Sequence, residues 1–326
     1  MLGSGGGYRV RKILVCGATG FIGRNIAEAL AAQPEFEVYA SHFRRPAPDH
    51  PCIRPVSADL TDQTAVDRVT RGMDVIIQAA ATTSGAKDIV ERPYIHITDN
   101  AVMNSLLLRA AFEHAVEQFV FLSCSVMYPS APAPVAESAF DAGADMHPRY
   151  FGVGWTKVYI EKMCEFYARL GRTRHTVIRH SNVYGPHDKF DLERSHVVGA
   201  TIAKVMQSQN GAISVWGAGT ESRDLLYVDD LVDFVELAID RQTAPFELVN
   251  IGSGVATSVR NLVEMIIAAS DKKLRVHYDL SKPSIDTSLC LDTARAQAIF
   301  GWTPKVTLED GIRRTLVWYE KEFSSQ

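Results

Sequence analysis

The five cysteines, Cys16, Cys52, Cys124, Cys164 and Cys290, are scattered, and no two of them form a CxxC pair. Their spacing removes a zinc site and a disulfide framework, so no metal is expected. Reduced thiols suit a cytoplasmic protein. Long apolar runs are also missing: none approaches the ~18 residues that would span a bilayer, so no membrane partner is expected. The opening MLGSGGGYRVRK has no apolar signal core, and export is not expected; its glycine run is set aside as a flexible tail. Basic charge is not in excess either. Lys and Arg number 34 against 38 Asp and Glu, a formal net charge of −4. A nucleic-acid partner would require a basic face to neutralise phosphates, and none is expected. Repeats and low-complexity linkers are absent.

What is present is an alternation of strands and helices. A chain of 326 residues has room for one large α/β domain or two domains sharing a cleft. KILVCGATGFIGRNIAEALAA starts as a continuous apolar run, turns through glycines and then takes helical spacing. Gly17 permits a tight bend, Gly20 lets backbone approach a pyrophosphate, and Gly23 allows close packing of helix on strand. Phe21 and Ile22 lie in the same turn and join the expected cofactor-binding set. The spacing is GxxGxxG, and its place directly after an early buried strand gives it weight. EFEVYASHF, DVIIQAAA and EQFVFLSCS read as further strands, and NAVMNSLLLRAAFEHA as an apolar-striped helix. The pattern implies a doubly wound parallel sheet, a Rossmann fold, with both faces covered.

The end of the second strand should choose the dinucleotide. An acid there binds the ribose hydroxyls of NAD, and an arginine accommodates the 2′-phosphate of NADP. SHFRRP has no acid but carries Arg44 and Arg45, which favours NADP over NAD; a pair of solvated loop charges is the plain alternative. Asp59 and Leu60 in VSADLTD fall where such folds hold adenine. Ala79, Ala80 and Ala81 end a strand with small side chains, which suits either a close-lying cofactor or simple tight packing.

GATGFIG, SADL, QAAA and Lys157, in that order, resemble the extended short-chain dehydrogenase/reductase family, enzymes that modify nucleotide sugars. RHSNVYGPHDKFDLERSHV, VWGAGTESRDLLYVDDLV and NIGSGVATSVRNL narrow the resemblance to its GDP-L-fucose synthase branch, the epimerase-reductases acting on GDP-4-keto-6-deoxy-mannose. The resemblance spans residues 11 to 320. It implies that Asn182 helps hold the substrate, that His196 donates or accepts a proton in epimerisation, and that Arg223 grips the nucleotide diphosphate. Trp216 and Lys282 complete the implied substrate set. Imidazole titrates near working pH and a guanidinium fork matches phosphate oxygens. A surface or capping role for His196, and a structural ion pair of Arg223 with Asp224 or Asp229, stand as alternatives.

Three departures matter. The family works with Ser, Tyr and Lys, the tyrosine supplying the proton to the sugar carbonyl. Val153 occupies the tyrosine place, four before Lys157, and has no proton to give. Tyr150 lies at i−7 and serves only if the chain before Gly152 leaves the helix, which Gly152 and Gly154 would allow by forming a loop. A tyrosine packed beside Phe151 is the alternative. The serine place falls on Cys124, between Ser123 and Ser125, and the epimerisation cysteine falls on Val126. Cys124 can act as an acid or fill buried space, and Ser125 serves only after a register shift. Lys282 is kept, but the basic residue expected after it is replaced by Asp286, Thr287 and Ser288.

Three readings stay open: a keto-sugar reductase or epimerase-reductase with Tyr150 or Cys124 as acid, a non-redox epimerase using His196, and a catalytically degenerate nucleotide-binding protein. SCSVMYP lacks the carboxylates of a dehydratase. The expected division is a dinucleotide-binding domain from 8–180 and 225–255, and a smaller α/β substrate domain from 181–224 and 256–324. By analogy with the family, the helices near 100–115 and 152–170 form a homodimer seam.

Overall fold

The computed structural model describes residues 9–82, 92–192, 195–281 and 288–323. Seven strands form one parallel sheet in the order β3-β2-β1-β4-β5-β6-β10. They are β1 (Arg11–Cys16), β2 (Phe36–His42), β3 (Ile53–Ser57), β4 (Val75–Gln78), β5 (Gln118–Leu122), β6 (Arg174–His180) and β10 (Phe246–Ile251). The strand order reverses between β1 and β4. That point opens a crevice at the carboxyl ends of the strands, where such sheets bind ligands.

The two faces of the sheet are covered because consecutive residues of its strands point to opposite sides. Ile13 and Val15 of β1 pack with Val38, Val120 and Ile178 beneath α1 (Phe21–Ala31) and α6 (Val228–Arg241). Leu14 and Cys16 pack with Ile76, Phe121 and Val177 beneath α2 (Gln63–Thr70), α3 (Thr98–Glu113) and α4 (Phe151–Arg169). Every strand that the sequence marks as apolar forms. β3 escapes such reading because IRPVS is mostly exposed and holds a proline. Pro55 is tolerated there because β3 is an edge strand with one ladder only.

The remaining elements build a smaller layer. β7 (Asn182–Tyr184), β11 (Ala256–Ser258) and β13 (Ser288–Leu289) all pair with β9 (Ser222–Tyr227), while β8 (Ala212–Trp216) pairs with β12 (Arg275–Asp279). Helices α5 (Val197–Gln207), α7 (Val259–Ala269) and α9 (Leu308–Phe323) cover them through Ile202, Val263 and Ile312. The expected boundary at 225 falls inside β9, and the chain rejoins the large sheet at β10. The helix α8 (Ala294–Phe300) and Trp302 insert into the core of the large sheet. No helix among the described residues is long and apolar enough to cross a membrane.

Candidate active site

The turn after β1 is shaped by close backbone approach. Gly17 has φ +80°, and a Cβ on it would lie 2.6 Å from Ala80 backbone atoms. A Cβ on Gly23 would lie 2.4 Å from the Gly17 carbonyl oxygen, so only glycine lets α1 pack against the turn. Gly20 caps α1 without a side chain and donates its N–H to the Gly17 carbonyl at 2.9 Å. A Cβ there would meet a single atom, the Gly17 oxygen at 3.3 Å, so its outer side is open. Phe21 and Ile22 begin the helix above this opening and pack onto the core. Open backbone at a helix N-terminus fits the pyrophosphate of a dinucleotide.

The rim around this turn is ordered by side chains that sequence reading missed. Gln78 donates to the Ala80 carbonyl at 3.2 Å and to Asn104 at 3.0 Å. Asn100 accepts from the Thr82 N–H at 2.9 Å and donates to the His96 carbonyl at 2.8 Å. Asn100 and Asn104 stand four apart on the buried face of α3, and that polar pair inside an apolar stripe was the available signal. Ala79 and Ala80 are half-buried under this clasp and Ala81 is exposed.

Arg44 and Arg45 are exposed just past the end of β2, and the Arg44 guanidinium lies 5.6 Å from the Phe43 ring centre. The Asp59 carboxylate accepts from the Thr61 hydroxyl at 2.7 Å and the Thr61 N–H at 2.9 Å. These bonds, with Arg44 helping, hold its pKa below the ordinary carboxylate value. Leu60 points into the core.

At the far side of the crevice, Lys157 on α4 donates to the Leu122 carbonyl at 2.8 Å, and its ammonium lies 4.6 Å from the Phe121 ring centre. Desolvation lowers its pKa, with the neighbouring Cys124 opposing. Burial pushes the Cys124 thiol up, and Lys157 pulls it back. Ser125 is buried. Of the two serines flanking Cys124, Ser123 is tied to α4, its hydroxyl donating to Glu161 at 2.5 Å. Glu161 in turn pairs with buried Arg179 at 2.6 Å, and Arg179 donates to the Tyr128 hydroxyl at 2.8 Å.

The approach to α4 corrects one expectation. Gly152 and Gly154 form no loop; both are helical. They are small because a Cβ would lie 2.6 Å from Ile97 at position 152 and 2.1 Å from the Met146 sulfur at position 154. The chain leaves the α-helix one residue earlier. Tyr150 is the N-cap, ending a short 3₁₀ turn over Pro148–Tyr150, with its N–H bonded to the His147 carbonyl at 2.8 Å. Burial raises the Tyr150 pKa, Arg223 and Arg149 lower it, and Cys124 raises it. The phenol therefore stands within electrostatic reach of Cys124 and of Arg223, although Tyr150 is seven residues from Lys157.

The smaller layer brings the remaining residues. Asn182 on β7 donates to the Asp224 carbonyl at 3.3 Å. Arg223 on β9 donates to the Ser222 carbonyl at 2.8 Å. The carboxylates suggested as its ion-pair partners are engaged elsewhere. Asp224 accepts from the N–H groups of Ser253 at 2.7 Å and Leu291 at 3.0 Å, and Asp229 pairs with Arg314 at 3.6 Å. His196 stands at the N-cap position of α5, with an exposed side chain that makes no capping hydrogen bond. Desolvation by the surrounding protein and the charge of Lys189 lower its pKa. Trp216 ends β8 and is 55% exposed. Lys282, Asp286 and Thr287 lie outside the described residues.

The turn after β1 and the residues around Lys157 lie at the carboxyl ends of the same sheet, and comparison with known proteins gives the family of the chain. The model of the family described as NAD dependent epimerase/dehydratase matches residues 13–252. The chain belongs to that family. Among relatives of the epimerase/dehydratase family, GDP-L-fucose synthase 1 of Arabidopsis thaliana is 32% identical, the match covering 95% of this chain and 93% of that protein. GDP-L-fucose synthase of Sinorhizobium fredii is 30% identical, with 94% of each chain covered. Among solved structures, UDP-glucose 4-epimerase of Thermotoga maritima with UDP-glucose superposes with a TM-score of 0.82 at 25% identity, covering 95% of this chain and 99% of that one.

Proposed function

We propose that the protein reduces the 4-keto group of a nucleotide diphosphate sugar, such as GDP-4-keto-6-deoxy-mannose, with NADPH, and that Tyr150 supplies the proton. The observation that carries this reading is the Tyr150 phenol at the N-cap of α4, half-buried within reach of Cys124 and Arg223. The relatives named GDP-L-fucose synthase support the substrate class. A bound nicotinamide dinucleotide supplies the hydride.

The chain's own residues do the rest. Gly17, Gly20 and Gly23 leave backbone open at the start of α1 for the pyrophosphate. Arg44 and Arg45 take the 2′-phosphate and favour NADP over NAD, while Asp59, Leu60 and Ala79–Ala81 border the adenosine side. Arg223 grips the substrate diphosphate, with Asn182, Trp216 and Lys282 around the sugar and base. Tyr150 gives its hydroxyl proton to the carbonyl oxygen as the alcohol forms. Burial keeps that phenol protonated at neutral pH, and the Arg223 guanidinium stabilises the phenolate left behind. Cys124, whose thiol burial also keeps protonated, is the second candidate donor.

Epimerisation without hydride transfer is favoured by one separate observation, the exposed His196 at the head of α5. The two reactions separate in one experiment. With a nucleoside-diphosphate 4-keto-6-deoxy sugar in D2O, reduction consumes NADPH absorbance. Epimerisation alone leaves that absorbance flat while deuterium enters the sugar. A protein that does neither is a binding module.

The dimer seam remains part of the reading. Val102 on α3 and Tyr159 and Phe166 on α4 are exposed apolar residues on the two helices that pack together. Light scattering at micromolar concentration should give twice the chain mass. A reducing cytoplasm suits the five free thiols.

A further inference from the structure

We propose that Arg260 is a positioning residue for the nucleotide end of the substrate: it clamps the glycine turn between β8 and β9 and so sets the direction in which Trp216 presents its indole to the base. The inference rests on the nucleotide-sugar reading above and adds a residue to it.

The turn runs from Trp216, the last residue of β8, to Ser222, the first of β9. Gly217 and Gly219 both hold left-handed backbone, with φ +71° and +70°. Glycine has no side chain to stiffen such a turn and loses the most freedom when it is fixed, so the shape has to be imposed from outside. Gly217 donates its N–H to the Asp279 carbonyl at 2.9 Å. The next two carbonyls both go to Arg260. Its guanidinium Nη2 donates to the Ala218 carbonyl at 3.0 Å, and its backbone N–H donates to the Gly219 carbonyl at 2.9 Å.

The arginine is itself held. Its guanidinium carbon lies over the Tyr278 ring, 4.2 Å from the centre, and Tyr278 packs on the core of the smaller layer. A Cβ on Gly219 would lie 3.0 Å from that ring and 3.2 Å from the Arg260 nitrogen, so turn, arginine and ring form one close-packed unit.

Helix stability does not account for Arg260. It is exposed and lies in the first turn of α7, where a cation opposes the helix dipole. That helix already has a cap, since the Ser258 hydroxyl accepts from the Asn261 N–H at 3.1 Å. The turn is what Arg260 fixes. Gly217 directly follows Trp216, so a relaxed turn would swing an indole that is 55% exposed.

The test measures binding of GDP, UDP and dTDP by calorimetry to the full chain and to Arg260→Ala, Arg260→Lys and Trp216→Ala. Arg260→Ala should weaken the best-bound diphosphate about fivefold to tenfold, the scale of one lost hydrogen bond. KM for the matching 4-keto-6-deoxy sugar should rise by the same factor, with kcat and NADPH affinity within about twofold. Arg260→Lys, which keeps the charge without the planar fork, should recover only part of the loss. In the Trp216→Ala background, Arg260→Ala should cost less than about twofold, because the indole it orients is gone. Unchanged diphosphate affinity in Arg260→Ala would overturn the proposal, and so would losses at Arg260 and Trp216 that simply add. A fall in NADPH affinity and thermal stability together would mark a general structural role and overturn it as well. If the wild-type protein binds none of the three diphosphates, the nucleotide-sugar reading itself fails and takes this proposal with it.

Discussion

The Ser123 hydroxyl, just past the end of β5, donates a 2.5 Å hydrogen bond to the Glu161 carboxylate on α4. Glu161 is one helical turn beyond Lys157, and Lys157 is itself bonded to the Leu122 carbonyl next door. Two adjacent ties thus fix α4 to the strand end. The second oxygen of Glu161 meets Arg179, and both side chains are almost fully buried. Removing one partner leaves an uncompensated buried charge, so Glu161→Ala should destabilise the protein by about 3–5 kcal/mol. Urea unfolding measures this. The double variant Glu161→Met with Arg179→Met should lose clearly less than the single one, because no lone charge remains.

Neutralising the rim after β2 should change the choice of dinucleotide. Arg44 and Arg45 are exposed, so Arg44→Ser with Arg45→Ser should leave the fold intact. Affinity for NADPH should fall roughly tenfold or more, the scale of one lost charge-assisted phosphate contact. Affinity for NADH should hardly move. Fluorescence titration with both cofactors decides it, and a wild-type preference for NADH would refute the assignment.

Acid should weaken the fold in a predictable window. His175 is fully buried with neither ring nitrogen bonded, and burial lowers its pKa from 6.5 to about 3. Between these values the unfolded chain binds a proton that the folded chain refuses, so stability falls as pH drops below 6.5 and is unaffected above it. One such proton costs up to about 1.4 kcal/mol per pH unit. The ring packs 5.6 Å from Phe119, centre to centre, so an aromatic replacement suits the site. His175→Phe should flatten the loss between pH 6 and 4 (roughly the middle of that window). Chemical denaturation across pH checks the slope.

Tyr150 and Cys124 can be told apart as acids. Tyr150→Phe should lower the rate of keto-sugar reduction by about 10²–10⁴ with little change in NADPH binding, the usual cost of removing a general acid. Cys124→Ala should cost much less. Stopped-flow NADPH oxidation under single turnover separates the two, and the reverse ranking would make Cys124 the donor.

The glycine turn after β1 was legible in the sequence because its constraints are local. Gly17 needs a positive φ and Gly23 needs the absence of a Cβ, and both are written into GATGFIG. The strands with continuous apolar runs were legible for the same reason. The start of α4 was not. Gly152 and Gly154 suggested a loop, but they are helical glycines making room for Ile97 and Met146, which come from distant parts of the chain. The Ser123–Glu161–Arg179 tie was also hidden, since it joins residues from three elements.

The most direct test of the account is to mix the purified protein with NADPH and a nucleoside-diphosphate 4-keto-6-deoxy sugar and follow nicotinamide absorbance together with the sugar product. The account predicts stoichiometric oxidation of NADPH and a product reduced at the keto carbon, with Tyr150→Phe strongly slowed. Unchanged absorbance and unchanged sugar, with GDP-, UDP- and dTDP-linked substrates alike, would contradict it.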